Sequence, residues 1–158
     1  QRLVVMGRRD LDSIENELLT DDTAMGRRHA AVARASRPSA AAKELAWSDI
    51  VDRTDLPNST LESTIIGFVQ PDQLDELRPY RQRYFEDLPK VWAQHTTEIA
   101  QNIAVGLYPT LFVDEETVRL SDEFLARPDL NTALRRLVSE GRDGVLRALR
   151  ARAKDATN

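Results

Sequence analysis

Seven prolines divide this chain before any other feature does. Pro38, Pro57, Pro71, Pro79, Pro89, Pro109 and Pro128 leave intervals of helix length between them. Proline lacks a backbone N–H and its ring clashes with the turn before it. Each is therefore expected at a helix start or just past a helix end. Inside the intervals, apolar residues recur three and four apart, the period of one helix face. Asp12, with Glu15 three residues on, reads as a cap ahead of Ile14, Leu18 and Leu19. Thr23 caps a helix that runs to Ser36, and Ser39 caps one carrying Ala42, Leu45, Ala46 and Ile50. Ser59-Thr60-Leu61-Glu62 reads as a capping box, with Leu61, Ile65, Phe68 and Val69 on the face that follows. The stretch from Thr64 to Val69 is β-branched and aromatic, but it does not alternate and it lies inside that capped frame, so helix is expected. Thr110-Leu111-Phe112-Val113 reads as a loop leading into a helix.

The longest helix is predicted from Pro89 to about Tyr108, with Trp92, Thr96, Ile99, Ile103 and Leu107 on one face. A shorter one covers Glu115 to Ala126. The last runs from an Asn131 cap to about Lys154, with Leu134, Leu137, Val138, Val145 and Leu149 inward. Gly141 and Gly144 are expected to bend or split it. The result is an all-α chain of about nine or ten helices. Helix pairs of about 35–45 residues mark stacked arrays, and both a single-layer solenoid and a compact bundle fit this pattern. A length of 158 residues suits one domain. The opening, Gln1-Arg2-Leu3-Val4-Val5-Met6-Gly7, reads as the last turn of a helix and its glycine cap. That predicts a piece of a longer polypeptide, with Leu3, Val4, Val5 and Met6 as former interface.

The chemistry is sparse. Hydrophobic residues are 41%, charged residues 30% and the formal charge is −4, the balance of a soluble globular domain. With no cysteine, disulfides and thiolate metal sites are excluded. No apolar run approaches the roughly 18 residues that span a bilayer, and the chain shows no signal peptide; a cytoplasmic, non-membrane protein is expected. The two histidines are His29 and His95. His95 with Glu98 three residues on is a weak pair, and a metal needs more ligands than that. Asp114-Glu115-Glu116 and Asp122-Glu123 read as helix first turns, where negative charge suits the dipole. From Ala133 to Lys154 there are seven cations against two acids. No aromatics interleave with them and the whole chain is acidic, so nucleic acid is not expected as a partner. Arginine outnumbers lysine 19 to 3, a bias attributed to GC-rich coding rather than recognition, although arginine also suits buried carboxylate pairing. Tyr80, Tyr84, Phe85 and Trp92 read as core. No phosphate loop, nucleophile elbow or His-Glu-x-x-His is present. Catalytic residues, metal ligands and a bound cofactor are therefore all expected to be none, and no substrate-binding residue is assigned.

Several short strings, in order, carry a resemblance. Arg27-Arg28-His29-Ala30-Ala31 is followed by Ala33-Arg34-Ala35 and Arg37-Pro38; then come Gly67-Phe68 and Gln70-Pro71-Asp72. Next are Pro79-Tyr80, Arg83-Tyr84-Phe85, Leu88-Pro89, Val91-Trp92 and Gly106-Leu107-Tyr108-Pro109. Leu134-Arg135-Arg136, Glu140-Gly141-Arg142-Asp143 and Arg147-Ala148-Leu149-Arg150 close the series. Over nearly the whole chain this set resembles the C-terminal helical domain of bacterial aminopeptidase N, actinobacterial type, a domain shared with the endoplasmic-reticulum aminopeptidases.

The resemblance implies a parent zinc metallo-aminopeptidase that removes N-terminal residues from peptides. Its zinc would lie in a catalytic domain carrying His-Glu-x-x-His, a distal Glu and a Gly-x-Met-Glu-Asn strand. None of these is here; Thr23-Ala24-Met25-Gly26 is similar to the last only superficially. The implied fold is a HEAT/armadillo-like superhelical array of stacked antiparallel helix pairs. The implied partners are the catalytic domain of the same polypeptide, over which the array closes, and the parent's peptide substrates. Two other classes remain: a stand-alone helical-repeat adaptor for a protein or peptide, and the effector-binding domain of a helical transcription regulator.

Overall fold

A computed structural model describes residues 11–20 and 23–156, and the fold is all-α. Eight helices follow one another: α1 Leu11–Thr20, α2 Ala24–Ala35, α3 Ala40–Val51, α4 Asn58–Phe68, α5 Leu74–Gln94, α6 Thr97–Gly106, α7 Glu115–Leu125 and α8 Thr132–Asp155. About nine or ten helices were expected; eight and no strand are present among the described residues. The predicted terminal turn at Leu3–Met6 lies outside those residues.

Side-chain caps start most helices, because the first N–H groups of a helix have no partner within it. Thr23 Oγ1 accepts from Gly26 N at 3.0 Å and Ser39 Oγ accepts from Ala42 N at 3.2 Å, as predicted. Asn131 Oδ1 accepts from Ala133 N at 2.8 Å. The predicted box at Ser59–Glu62 is not a cap. Helix α4 already begins at Asn58, behind Pro57, and no side chain caps it. Ser63 and Thr64 instead turn their hydroxyls back to Ser59 O and Thr60 O, at 2.7 and 2.9 Å. At α1, Asp12 lies one residue inside the helix rather than before it.

The larger correction concerns proline. Pro79 and Pro89 lie inside α5, not at its ends. Each removes the bond its own nitrogen would make to the carbonyl four residues back. Both are exposed, while Leu77, Tyr80, Tyr84, Phe85, Leu88 and Val91 are buried. Burial of that continuous apolar face holds the helix together through two missing bonds. The break comes later, at His95. Thr96 then caps α6 through Ile99 N, so the helix predicted from Pro89 to Tyr108 is the end of one helix and all of another.

The chain divides into two compact units between Arg78 and Pro79. In the first, α2 packs most extensively against α4, and also against α1 and α3. Its core holds Ala35, Ala46, Trp47, Ile50, Val51, Leu61 and Phe68. Trp47 and Phe68 meet at 5.6 Å between ring centres. Leu19 and Leu45, predicted inward, are exposed, as is Ile66. In the second unit, α8 packs against α6 and α7. Leu134, Leu137, Val138 and Val145 are buried there as predicted, and Leu149 only partly. Helix α8 runs unbroken through Gly141 and Gly144.

Gly67 explains how closely α2 and α4 approach. A Cβ at this position would lie 2.4 Å from Val32 O and 2.9 Å from Ala35 Cβ. Backbone cannot retreat from such a clash without moving a helix. Gly67→Ala is expected to destabilise the chain by about 1–3 kcal/mol despite its better helix propensity, read as a lower urea midpoint.

Candidate functional site

The most unusual side chain in the first unit is Lys43. It lies on α3 with no exposed surface. Its Nζ donates to Ala35 O and to Phe68 O, both at 2.9 Å. These carbonyls end α2 and α4, where backbone acceptors have no partner in their own helix. The ammonium also lies 5.4 Å from the centre of the Phe68 ring. Burial lowers the pKa of Lys43 to about 8, against a smaller opposing pull from the Glu76 carboxylate. Nearby, Gln73 Nε2 donates to Ser36 O at 2.9 Å. Sequence reading passed over Lys43. The signal was its register: Ala46, Trp47 and Ile50 follow it at three, four and seven, all buried.

In the second unit the predicted aromatic core is real and larger than expected. Tyr84, Phe85 and Tyr108 meet edge to face at 4.9–6.2 Å, and Phe124 joins through Phe85 at 5.9 Å. Trp92 is only partly buried. Tyr84 OH donates to Ala104 O at 2.7 Å. Ser121 Oγ donates to Thr117 O, so in the 2.7 Å contact with Tyr108 it is the tyrosine that donates. Burial raises the pKa of both tyrosines. The Tyr108 ring lies against α8 where Gly141 has no side chain; a Cβ there would lie 2.7 Å from the ring.

The acidic clusters divide. Asp114 caps α7, with Glu115 and Glu116 in its first turn, as predicted. Asp122 and Glu123 are in the last turn, not the first. They face cations instead: Asp122 takes Arg142 at 2.5 Å, and Glu123 takes Arg119. Asp114 does two jobs. Its Oδ1 accepts from Thr117 N and Oγ1, both at 2.9 Å, and its Oδ2 takes Arg81 at 2.7 Å. Arg81 also stacks on Phe112 at 5.3 Å. Partial burial pushes the Asp114 pKa up, but the Thr117 bonds and the Arg81 charge outweigh it, and the carboxyl is held below its usual value.

The basic helix α8 spends several of its arginines within the fold. Arg135 donates to Leu125 O at 2.6 Å and Arg127 O at 3.1 Å, covering the open end of α7. Arg136 pairs with Glu140, Arg142 with Asp122, and Arg152 donates to Val113 O at 3.0 Å. His29 is exposed on α2, and His95 is half-buried at the α5–α6 break. Among the described residues no three His, Asp or Glu side chains converge as a metal site requires. No helix among them is long and apolar enough to cross a membrane. The contacts given above hold helices in place.

The strings that carried the resemblance are the same packing nodes. Arg34 forks onto Glu15 with two bonds of 2.7 Å, Gly67 sets the α2–α4 approach, and Tyr108 meets Gly141. They define a helical domain. The chain belongs to the ERAP1-like C-terminal domain family, whose model it matches over residues 2–147. One particular relative is the aminopeptidase N of Streptomyces lividans, 52% identical over 156 residues. The match covers 99% of this chain and 18% of that protein.

Asp114 gives a stability test. Asp114→Ala removes a cap and leaves Arg81 without its carboxylate, at an expected cost of about 1–2 kcal/mol. Asp114→Asn keeps a capping oxygen and is expected to cost less. Because the folded pKa is depressed, the contribution is present above the unfolded value near 3.9 and fades as pH falls through the folded one. The gap between wild type and Asp114→Asn in urea midpoint is therefore expected to close in acid.

Proposed function

We propose that this chain, taken whole, is the non-catalytic C-terminal helical domain of a zinc-dependent metallo-aminopeptidase, an enzyme that removes N-terminal residues from peptides in the cytoplasm. In this reading the helices close over the active site of a catalytic domain on the same polypeptide and limit which substrates enter. The observation that carries it is the match to Streptomyces lividans aminopeptidase N, which covers this chain almost entirely and that protein only in part. In this reading the zinc belongs to that catalytic domain.

The physics suits the role. Stacked helices offer an extended surface whose residues need only satisfy packing behind them. Covering a metal site excludes bulk water and fixes how a long substrate lies. The packing nodes described above supply the rigidity that a wall needs.

Two measurements test the reading. The 158-residue chain with added zinc is expected to release no fluorophore from aminoacyl substrates; turnover abolished by a chelator would overturn the non-catalytic assignment. In the longer enzyme, removing this segment is expected to narrow the kcat/KM advantage of short peptides over long ones. An unchanged ratio in an active, folded truncation refutes the lid.

A further inference from the structure

We propose that Lys43 is a proton switch for the first unit: it holds the ends of α2 and α4 together both as an ammonium and as a neutral amine, and loss of its proton, which relieves the cost of burying a charge, raises the stability of that unit. The inference is independent of the aminopeptidase reading.

The geometry supplies the argument. Lys43 Nζ has two acceptors, Ala35 O and Phe68 O, each at 2.9 Å. A neutral amine has two N–H donors, and two carbonyls satisfy both. An ammonium has three, and the third meets only the Phe68 ring face, whose centre is 5.4 Å away. The side chain therefore gives up its proton without leaving its place and without losing a carbonyl bond. Full burial penalises the charged form.

Among the described residues, compensating charge near Nζ is scarce. On α5, Glu76 is the carboxylate whose field reaches Nζ. On α2, Arg34 is engaged with Glu15. On α4, Glu62 is exposed, and on α3 itself Glu44 is exposed while Asp49 pairs with Arg53. The junction thus carries a cation that one distant carboxylate and two backbone dipoles offset only in part. The resulting pKa is about 8, against about 10.4 in an unfolded chain. Between those values the folded state holds fewer protons than the unfolded one, so stability rises with pH, by up to tenfold in the folded-to-unfolded ratio per pH unit.

The chain makes the test clean. It has three lysines, and Lys90 and Lys154 are both exposed. The first 78 residues contain no tyrosine or cysteine to titrate in the same range. With 13C-labelled lysine, the Cε resonances of the wild-type chain are followed by NMR from neutral to alkaline pH. One is expected to titrate about two units below the value of about 10.4 for an unfolded chain; Lys90→Arg and Lys154→Arg identify it by elimination. A Lys43 resonance that titrates near 10.4 overturns the proposal. The second measurement uses Trp92→Phe, which leaves Trp47 as reporter of the first unit. Its urea midpoint is expected to rise between about pH 7 and 9.5, while Trp92→Phe/Lys43→Arg, which cannot shed its charge, stays flat. A midpoint that is flat or falls with Lys43 intact refutes the switch. The NMR titration needs no variant at position 43, so it decides the matter even where Lys43→Arg fails to fold.

Discussion

Every helix that stops inside a packed domain leaves carbonyls without partners, and in water-poor surroundings each open one costs about 1–3 kcal/mol. This chain answers that constraint with long cations from neighbouring helices. Lys43 serves the ends of α2 and α4 together, and Arg135 serves the end of α7. The bonds therefore join helices as well as finish them. An apolar residue at either position would fill the space and still leave the acceptors open.

The same economy appears at helix starts and at close approaches. Asp114 is at once a cap and an ion-pair partner. Gly67 and Gly141 mark where a neighbour needs the space of a methyl group. Arginine is suited to this work because its fork reaches two acceptors at once. Coding bias alone does not account for the arginine excess: Arg34, Arg81 and Arg142 pair with carboxylates, and Arg135 and Arg152 donate to backbone carbonyls.

Much of the fold was legible. Thr23, Ser39 and Asn131 cap where their types predict, because a short side chain with an acceptor is a local device that needs no tertiary context. Pro79 and Pro89 misled because proline's penalty is local while the burial that overrides it is not. Nothing near Pro89 announces that Tyr84, Phe85, Leu88 and Val91 bury a continuous face. Ser59 to Glu62 matched a pattern whose geometry was set one turn earlier by Pro57. Asp122 and Glu123 were assigned to a first turn although Arg119 and Arg142 call them to the last. Lys43 was hidden by its type. A lysine is counted as surface by default, and only its helical register against Ala46, Trp47 and Ile50 places it inside. The candidate site was less legible than the fold. The ordered strings led to the family because they are packing nodes, and packing nodes say nothing of what the exposed faces touch.

The contact between Tyr108 and Gly141 has a consequence for helix α8. Its ring fits against bare backbone, with Glu140 and Arg142 as the residues on either side of that gap. Sliding or rotating α8 by a single residue would drive a long charged side chain into an aromatic plane. One missing methyl group thus works like the slot in a lock barrel: a helix of 24 residues is keyed to one rotational setting, and Arg135, Arg142 and Arg152 are indexed to their acceptors by that one gap.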